Sequence, residues 1–270
     1  MTAAPAPAPA PVTVWRHHDQ ESLDRHYDQA AWCPDIPAWI ARYAADTAAA
    51  RAALSPETLS YGPDVLDLYR AAGNVPRRGT WMHVHGGAWR VTTRADAGIM
   101  APALTALGYD VAVPDFAQLP DHRMPRMADD LLACAAFLRS RDAGPLHLSG
   151  HSSGAHLAAV LTTRADFASA TLVSGMYDLE PVLLSARSTY VTLTPDEADA
   201  LSPLRHAARI RTPLRLAWGT RESPEFIRQS EAMADAAGAA RFPLPDTDHF
   251  AAIYALAAGP LLDAAARDPT

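Results

Sequence analysis

Along the chain, short runs of apolar residues alternate with longer stretches in which apolar residues recur every three or four positions. The runs read as strands at residues 65–69, 81–85, 109–114, 146–149, 170–174, 214–218 and 241–244, and the intervening stretches as helices at 94–107, 125–141, 153–164, 224–237 and 250–257. Strands apolar on both faces, each followed by a helix, predict an α/β fold: a mostly parallel central sheet with helices on both faces. In such sheets functional groups gather just beyond the carboxyl ends of the strands, so each chemical motif is expected directly after a strand. Two segments interrupt the rhythm. Residues 15–58 carry helical spacing and an Asp-Ile-Pro helix start at Asp35, which predicts an N-terminal helical extension. Residues 178–208 carry polar and proline-containing turns and are expected to form a small cap-like insertion. Residues 1–14 read as a disordered Ala/Pro-rich tail, leaving 15–270 as a single domain.

Composition narrows the chemistry. A chain of 270 residues with 49% hydrophobic positions fits one large domain or at most two small ones. All 23 residues of the Lys+Arg count are arginine. Without lysine there is no P-loop of the GK[ST] type, no pyridoxal Schiff base and no Ser-Lys dyad. Asn74 is the sole asparagine, followed by Val75 and Pro76, so no glycosylation sequon exists. A net charge of −7 gives no general support for a nucleic-acid partner or an anionic membrane. Cys33 and Cys134 cannot make a disulfide framework, no apolar run is long enough to span a bilayer, and the N-terminus is a poor signal peptide. A cytoplasmic protein is expected.

The segment Gly150-His151-Ser152-Ser153-Gly154 falls between an apolar strand and an apolar helix, where a G-x-S-x-G turn would expose Ser152 as a nucleophile. The NH of Ser153 would then face a reacting carbonyl from a helix N-terminus. Upstream, His85-Gly86-Gly87-Ala88-Trp89 ends another strand and resembles an oxyanion loop, with Gly87 and Ala88 as the expected NH donors. His83 and His85 also form an H-x-H, which would suit a metal-dependent amidohydrolase if further ligands were present. No cofactor or metal is expected.

A nucleophilic serine needs a base, followed in this fold by the order Ser, acid, His. His249 follows the last strand and is the expected base; His206 falls within the insertion. Beyond the strand at 214–218, Glu222 is the expected acid, with Glu225, Asp246 and Asp248 as neighbouring carboxylates that have other uses in a helix start or loop.

The segments LDRHYDQAAWCPD, HGGAWR, GHSSGAHL, SGMYDLEPV, ESPEFIRQS and DHF occur in the order found in the metal-independent arylformamidases (kynurenine formamidases) of the α/β-hydrolase superfamily, which this chain resembles over most of residues 20–255. Two positions depart: Thr192 stands where the family often has Asn, and Glu222 where it often has Asp. The resemblance implies an α/β-hydrolase fold and deformylation of an N-formyl arylamine such as N-formylkynurenine through a formyl-enzyme. The residues alone imply serine-type ester or amide hydrolysis, and so leave a general carboxylesterase of the hormone-sensitive-lipase kind, or a non-catalytic binding protein, as other readings. The expected partner is a small aryl formamide or ester, with a homodimer left open. Trp89, Tyr177 and Phe250 are the expected aromatic wall of its pocket, Trp32 a further candidate, and Arg90 and Arg221 the cations nearest to meet a substrate carboxylate.

Overall fold

In the computed structural model, residues 12–62, 64–141, 144–265 and 267 are described. The tail expected over 1–14 therefore lies outside the described residues as far as residue 11. Eight strands form one sheet: β1 (Glu57–Tyr61), β2 (Asp64–Tyr69), β3 (Gly79–Val84), β4 (Tyr109–Pro114), β5 (Leu146–His151), β6 (Ser169–Val173), β7 (Leu214–Gly219) and β8 (Ala240–Leu244). Their order is β1-β2-β4-β3-β5-β6-β7-β8. β2 runs antiparallel to both β1 and β4, and from β4 onward every pairing is parallel.

Side-chain alternation along each strand divides the apolar residues between two faces. Met82, Ala112, Leu172 and Leu216 join one buried cluster, while their neighbours Trp81, Val111, Val173 and Ala217 join the other. Helices α1 (Gln20–Tyr27), α4 (Met124–Ser140), α5 (Ser153–Thr162) and α8 (Pro224–Ala237) contribute to the first cluster, and α2 (Ile36–Leu54) and α3 (Ala101–Ala106) to the second. Helix α2 starts where its sequence predicts: the Asp35 carboxylate accepts from the Ala38 NH at 3.1 Å. Residues 178–208 form two short helices, α6 (Glu180–Leu184) and α7 (Pro195–Ala200), with 3-10 turns between and after them. Past β8 the chain closes with a 3-10 helix, Ala251–Leu256, and α9 (Pro260–Ala265). Among the described residues no helix is long and apolar enough to cross a membrane.

The extension is tied to the rest of the chain at specific points. Tyr43 on α2 donates to the Phe250 carbonyl at 2.5 Å, Tyr254 donates to Asp46 at 2.7 Å, and Gln229 on α8 donates to the Tyr27 hydroxyl at 2.8 Å. These contacts bring α1 and α2 over the carboxyl ends of the strands, where they border a cavity.

Candidate active site

Ser152 lies between β5 and α5 with φ 55° and ψ −123°, a conformation an L residue holds only when its surroundings impose it. Two contacts impose it. The Ser152 NH is held by the Val173 carbonyl at 2.9 Å, and Gly154 passes so close beneath β3 that a Cβ there would sit 2.1 Å from the Val84 oxygen. Although Ser152 occupies the N-cap of α5, its hydroxyl makes no capping bond; it stands 2.9 Å from His249 Nε2.

His249 follows β8, and its Nδ1 lies 2.7 Å from Glu222 Oε2. The other oxygen of Glu222, just beyond β7, accepts from Ser174 Oγ at 2.5 Å and from the Gly219 NH at 2.6 Å. With Nδ1 donating to the carboxylate, Nε2 is the nitrogen free to accept the Ser152 proton. All three side chains are buried. The neighbouring carboxylates are engaged elsewhere. Glu225 holds Arg228 at 2.5 and 2.7 Å, Asp246 faces Arg221 at 3.4 Å, and Asp248 accepts the NH groups of Phe250 and Ala251 at 2.9 Å.

The loop after β3 turns through three left-handed residues, Gly87 (φ 91°), Ala88 (φ 54°) and Trp89 (φ 63°). A side chain at Gly87 would lie 1.8 Å from the Val91 oxygen, so the turn requires glycine. The Trp89 NH donates to Ser153 Oγ at 3.1 Å, fixing the loop to the start of α5. Among the described residues, no group accepts the backbone NH of Gly87, Ala88 or Ser153. Gly87 and Ala88 border the same cavity as Ser152, and the NH of Ser153 belongs to the electropositive end of α5.

The cavity has a volume of about 490 Å³ and is bordered by Ser152, His249 and Phe250. Trp89 and Tyr177, expected on its wall, belong to the apolar core instead. The left-handed turn at Ala88 and Trp89 carries the indole away from the cavity, where Nε1 donates to His156 Nδ1 at 3.1 Å. Tyr177 is fully buried, held by its NH on Gln229 Oε1 at 2.5 Å. Trp32 stacks on His26 at 5.5 Å and donates to the Arg25 carbonyl, away from the cavity. The wall is completed by residues whose sequence carries no sign of it: Tyr27, Ile36, Ile40 and Tyr43 from the extension, and Arg187 and Tyr190 from the insertion. Arg90 borders the cavity, whereas Arg221 faces Asp246 outside it.

His151, the variable residue of the G-x-S-x-G turn, is a further site residue that spacing did not single out. Its Nε2 donates to the His249 carbonyl at 2.8 Å, and burial pushes its pKa well below the ordinary histidine value. His83 meets Ser149 Oγ at 2.8 Å, with its pKa lowered by burial to about 3, and His85 stacks on Phe116 at 4.4 Å. Among the described residues no group of three His, Cys, Asp or Glu is arranged to hold a metal ion. His206 meets the Asp199 carbonyl, remote from Ser152.

A family model described as alpha/beta hydrolase fold matches residues 81–238. A kynurenine formamidase of Danio rerio is 26% identical over 91% of this chain and 94% of its own length. One of Salmo salar is 25% identical over 92% and 95%. Among solved structures, a presumptive thioesterase from Silicibacter sp. tm1040 is 25% identical and superposes with a TM-score of 0.79 over 87% of this chain and 94% of that one. A hormone-sensitive lipase from a metagenome library, 15% identical, superposes with a TM-score of 0.67 over 92% and 93%, a likeness of fold alone.

Proposed function

The chain belongs to the α/β-hydrolase family, and from that premise we propose that it is a serine hydrolase releasing formate from an N-formyl arylamine such as N-formylkynurenine. The observation that carries the proposal is the continuous line of contacts from Ser152 Oγ through His249 to Glu222, opening on a cavity. The two kynurenine formamidases align along nearly the whole chain and support the choice of amide over ester.

In the proposed reaction, His249 Nε2 takes the Ser152 proton as Oγ attacks the formyl carbon. The NH groups of Gly87, Ala88 and Ser153 receive the charge that develops on the formyl oxygen; one such donor is typically worth about 3 kcal/mol in the transition state. Glu222 keeps the imidazole in the tautomer that accepts at Nε2 and stabilises the imidazolium once formed. His249 then protonates the arylamine nitrogen as the C–N bond breaks, leaving formyl-Ser152. Water, deprotonated by His249, attacks the ester and releases formate. The burial of the three side chains strengthens each of these charge interactions relative to water. No step calls for a metal or an organic cofactor.

Parallel turnover of N-formylkynurenine and p-nitrophenyl acetate tests the reading. We expect kcat/KM to favour the formamide; a strong preference for the ester would instead identify a general carboxylesterase working with the same groups.

A further inference from the structure

The wall of the cavity includes polar groups to which the proposed reaction assigns no task. Arg187 borders it from the 3-10 turn Ala186–Thr189 of the insertion and is only 8% exposed. Its Nε and Nη2 donate to one acceptor, the Tyr27 carbonyl, at 3.0 and 2.9 Å, while Nη1 reaches the Met176 sulfur at 3.7 Å. A guanidinium offers five N–H donors, so part of its capacity stays unmet. Among the described residues no carboxylate lies within ion-pair distance of it: Asp28 acts on it only from farther off, and the rings of Tyr27 and Phe226 lie 5.7 and 5.8 Å from its guanidinium, in contrast to Arg228, which is held by Glu225. Burial lowers its pKa despite these neighbours, and an anion in direct contact would offset the cost of burying the charge.

Gln29, from the extension, borders the same cavity, and both polar atoms of its side-chain amide are buried without a partner. Buried amide atoms are seldom left unbonded unless a ligand or water is meant to meet them. At the rim, Arg90 lies 4.0 Å over the Tyr190 ring. Asp24 and Asp28 border the cavity too, but Asp24 already accepts from Gln20 and the Ala186 NH, and Asp28 from the Ala30 NH.

We propose that Arg187 and Gln29 form a subsite for a carboxylate carried by the substrate at the end remote from its acyl group, which makes the favoured substrates aryl amides with an anionic tail. The inference rests on the reading of Ser152 as the group that attacks the acyl carbon. A planar carboxylate suits the guanidinium's paired N–H donors, and the Gln29 Nε2 would add a third hydrogen bond. The two residues come from the insertion and the extension, segments outside the strand-helix alternation, so selectivity for the tail would be set apart from the groups that cleave the bond.

Calorimetric titration of Ser152→Ala protein, which binds without turning over, separates the two ideas. N-formylkynurenine is expected to bind about 10- to 100-fold more tightly than its carboxamide, the range for charge-assisted hydrogen bonds. In the same background Arg187→Gln should bring the two affinities close together. Gln29→Met, which removes an amide that holds no other part of the chain, should narrow the difference several-fold with the melting temperature unchanged. Equal affinities for the acid and the carboxamide, or a difference that survives Arg187→Gln, would overturn the subsite. If Arg187→Gln does not fold, because the Tyr27 carbonyl has lost its donors, Gln29→Met decides alone, and an undiminished difference there overturns it. Turnover of N-formylkynurenine by the unsubstituted protein is read independently. Turnover with equal affinities discards the subsite alone, a carboxylate preference without turnover discards the formamidase reading alone, and the absence of both discards both.

Discussion

A serine hydroxyl at the N-cap of a helix can turn toward the helix NH groups or toward a partner on the other side of the turn. Ser152 does the second, reaching His249 Nε2 from a backbone with φ 55°. Ser152→Ala should therefore lower kcat by at least about a thousandfold while shifting the melting temperature little, since no cap is lost. Glu222→Gln retains the shape but offers an amide to His249 Nδ1, and should cost about a hundred- to ten-thousandfold in kcat, read by steady-state kinetics beside a thermal melt. Ser152, His249 and Glu222 stand out in the sequence because each follows a strand, although Glu225, Asp246 and Asp248 lie near enough to compete for the acid's place and only the distances in the structure separate them. The aromatics were not. Trp89 and Tyr177 are neighbours in sequence of the loop and of β6, yet the φ of 63° at Trp89 and the burial of Tyr177 direct both rings into the core. Proximity along the chain says nothing about which way a ring faces.

At the scale of elements, seven of the strands were marked by apolar runs, and β1 was not. Its sequence, ETLSY, is mostly polar because it is an edge strand paired only with β2, and Tyr61 is its one buried residue. The helix expected over 94–107 divides into a 3-10 turn, Arg94–Asp96, and α3. Gly98 lies between them, pressed against Tyr69, where a Cβ would come within 2.5 Å of the hydroxyl. The segment expected to be helical at 250–257 is a 3-10 helix over Ala251–Leu256. The approach of α5 to β3 leaves no room for a side chain. Gly154→Ala would drive a methyl into the Val84 and His85 carbonyls, 2.1 and 2.4 Å away, and should destabilise the protein by more than about 2 kcal/mol. Chemical denaturation checks the loss, and a variant as stable as the parent would contradict the packing described for the turn. The cavity wall was illegible because it joins residues of α1, α2 and the insertion, and such pairings have no local signature.

For the molecule as a whole, parallel strand-helix alternation was readable, but strand order was not: strands apolar on both faces bear no mark of their neighbours. The same two-sided burial governs the response to pH. Burial lowers the pKa of His83 to about 3 and of His156 to about 4, and lowers those of His85 and His151 as well. Unfolded, these rings take up protons near pH 6.5; folded, they resist doing so. Their contribution to stability is complete above about pH 6.5 and is lost as the pH falls toward the folded values, by up to about 1.4 kcal/mol per ring and pH unit. The melting temperature should thus fall between about pH 7 and pH 5; a flat or rising trend there would mean that these rings are protonated in the native state.

Every residue of α5 is buried, whereas α1 buries only Leu23 and Tyr27. Amide protons of α5 should accordingly exchange with solvent only when the whole fold opens, and those of α1 through smaller, more frequent openings. Heat would then act on the protein in two stages: the part of the cavity wall built from α1 loosens first, while Ser152 retains its alignment until global unfolding. Close to the melting temperature, if the α1 wall selects substrates as proposed, the protein would become less choosy before it became inactive.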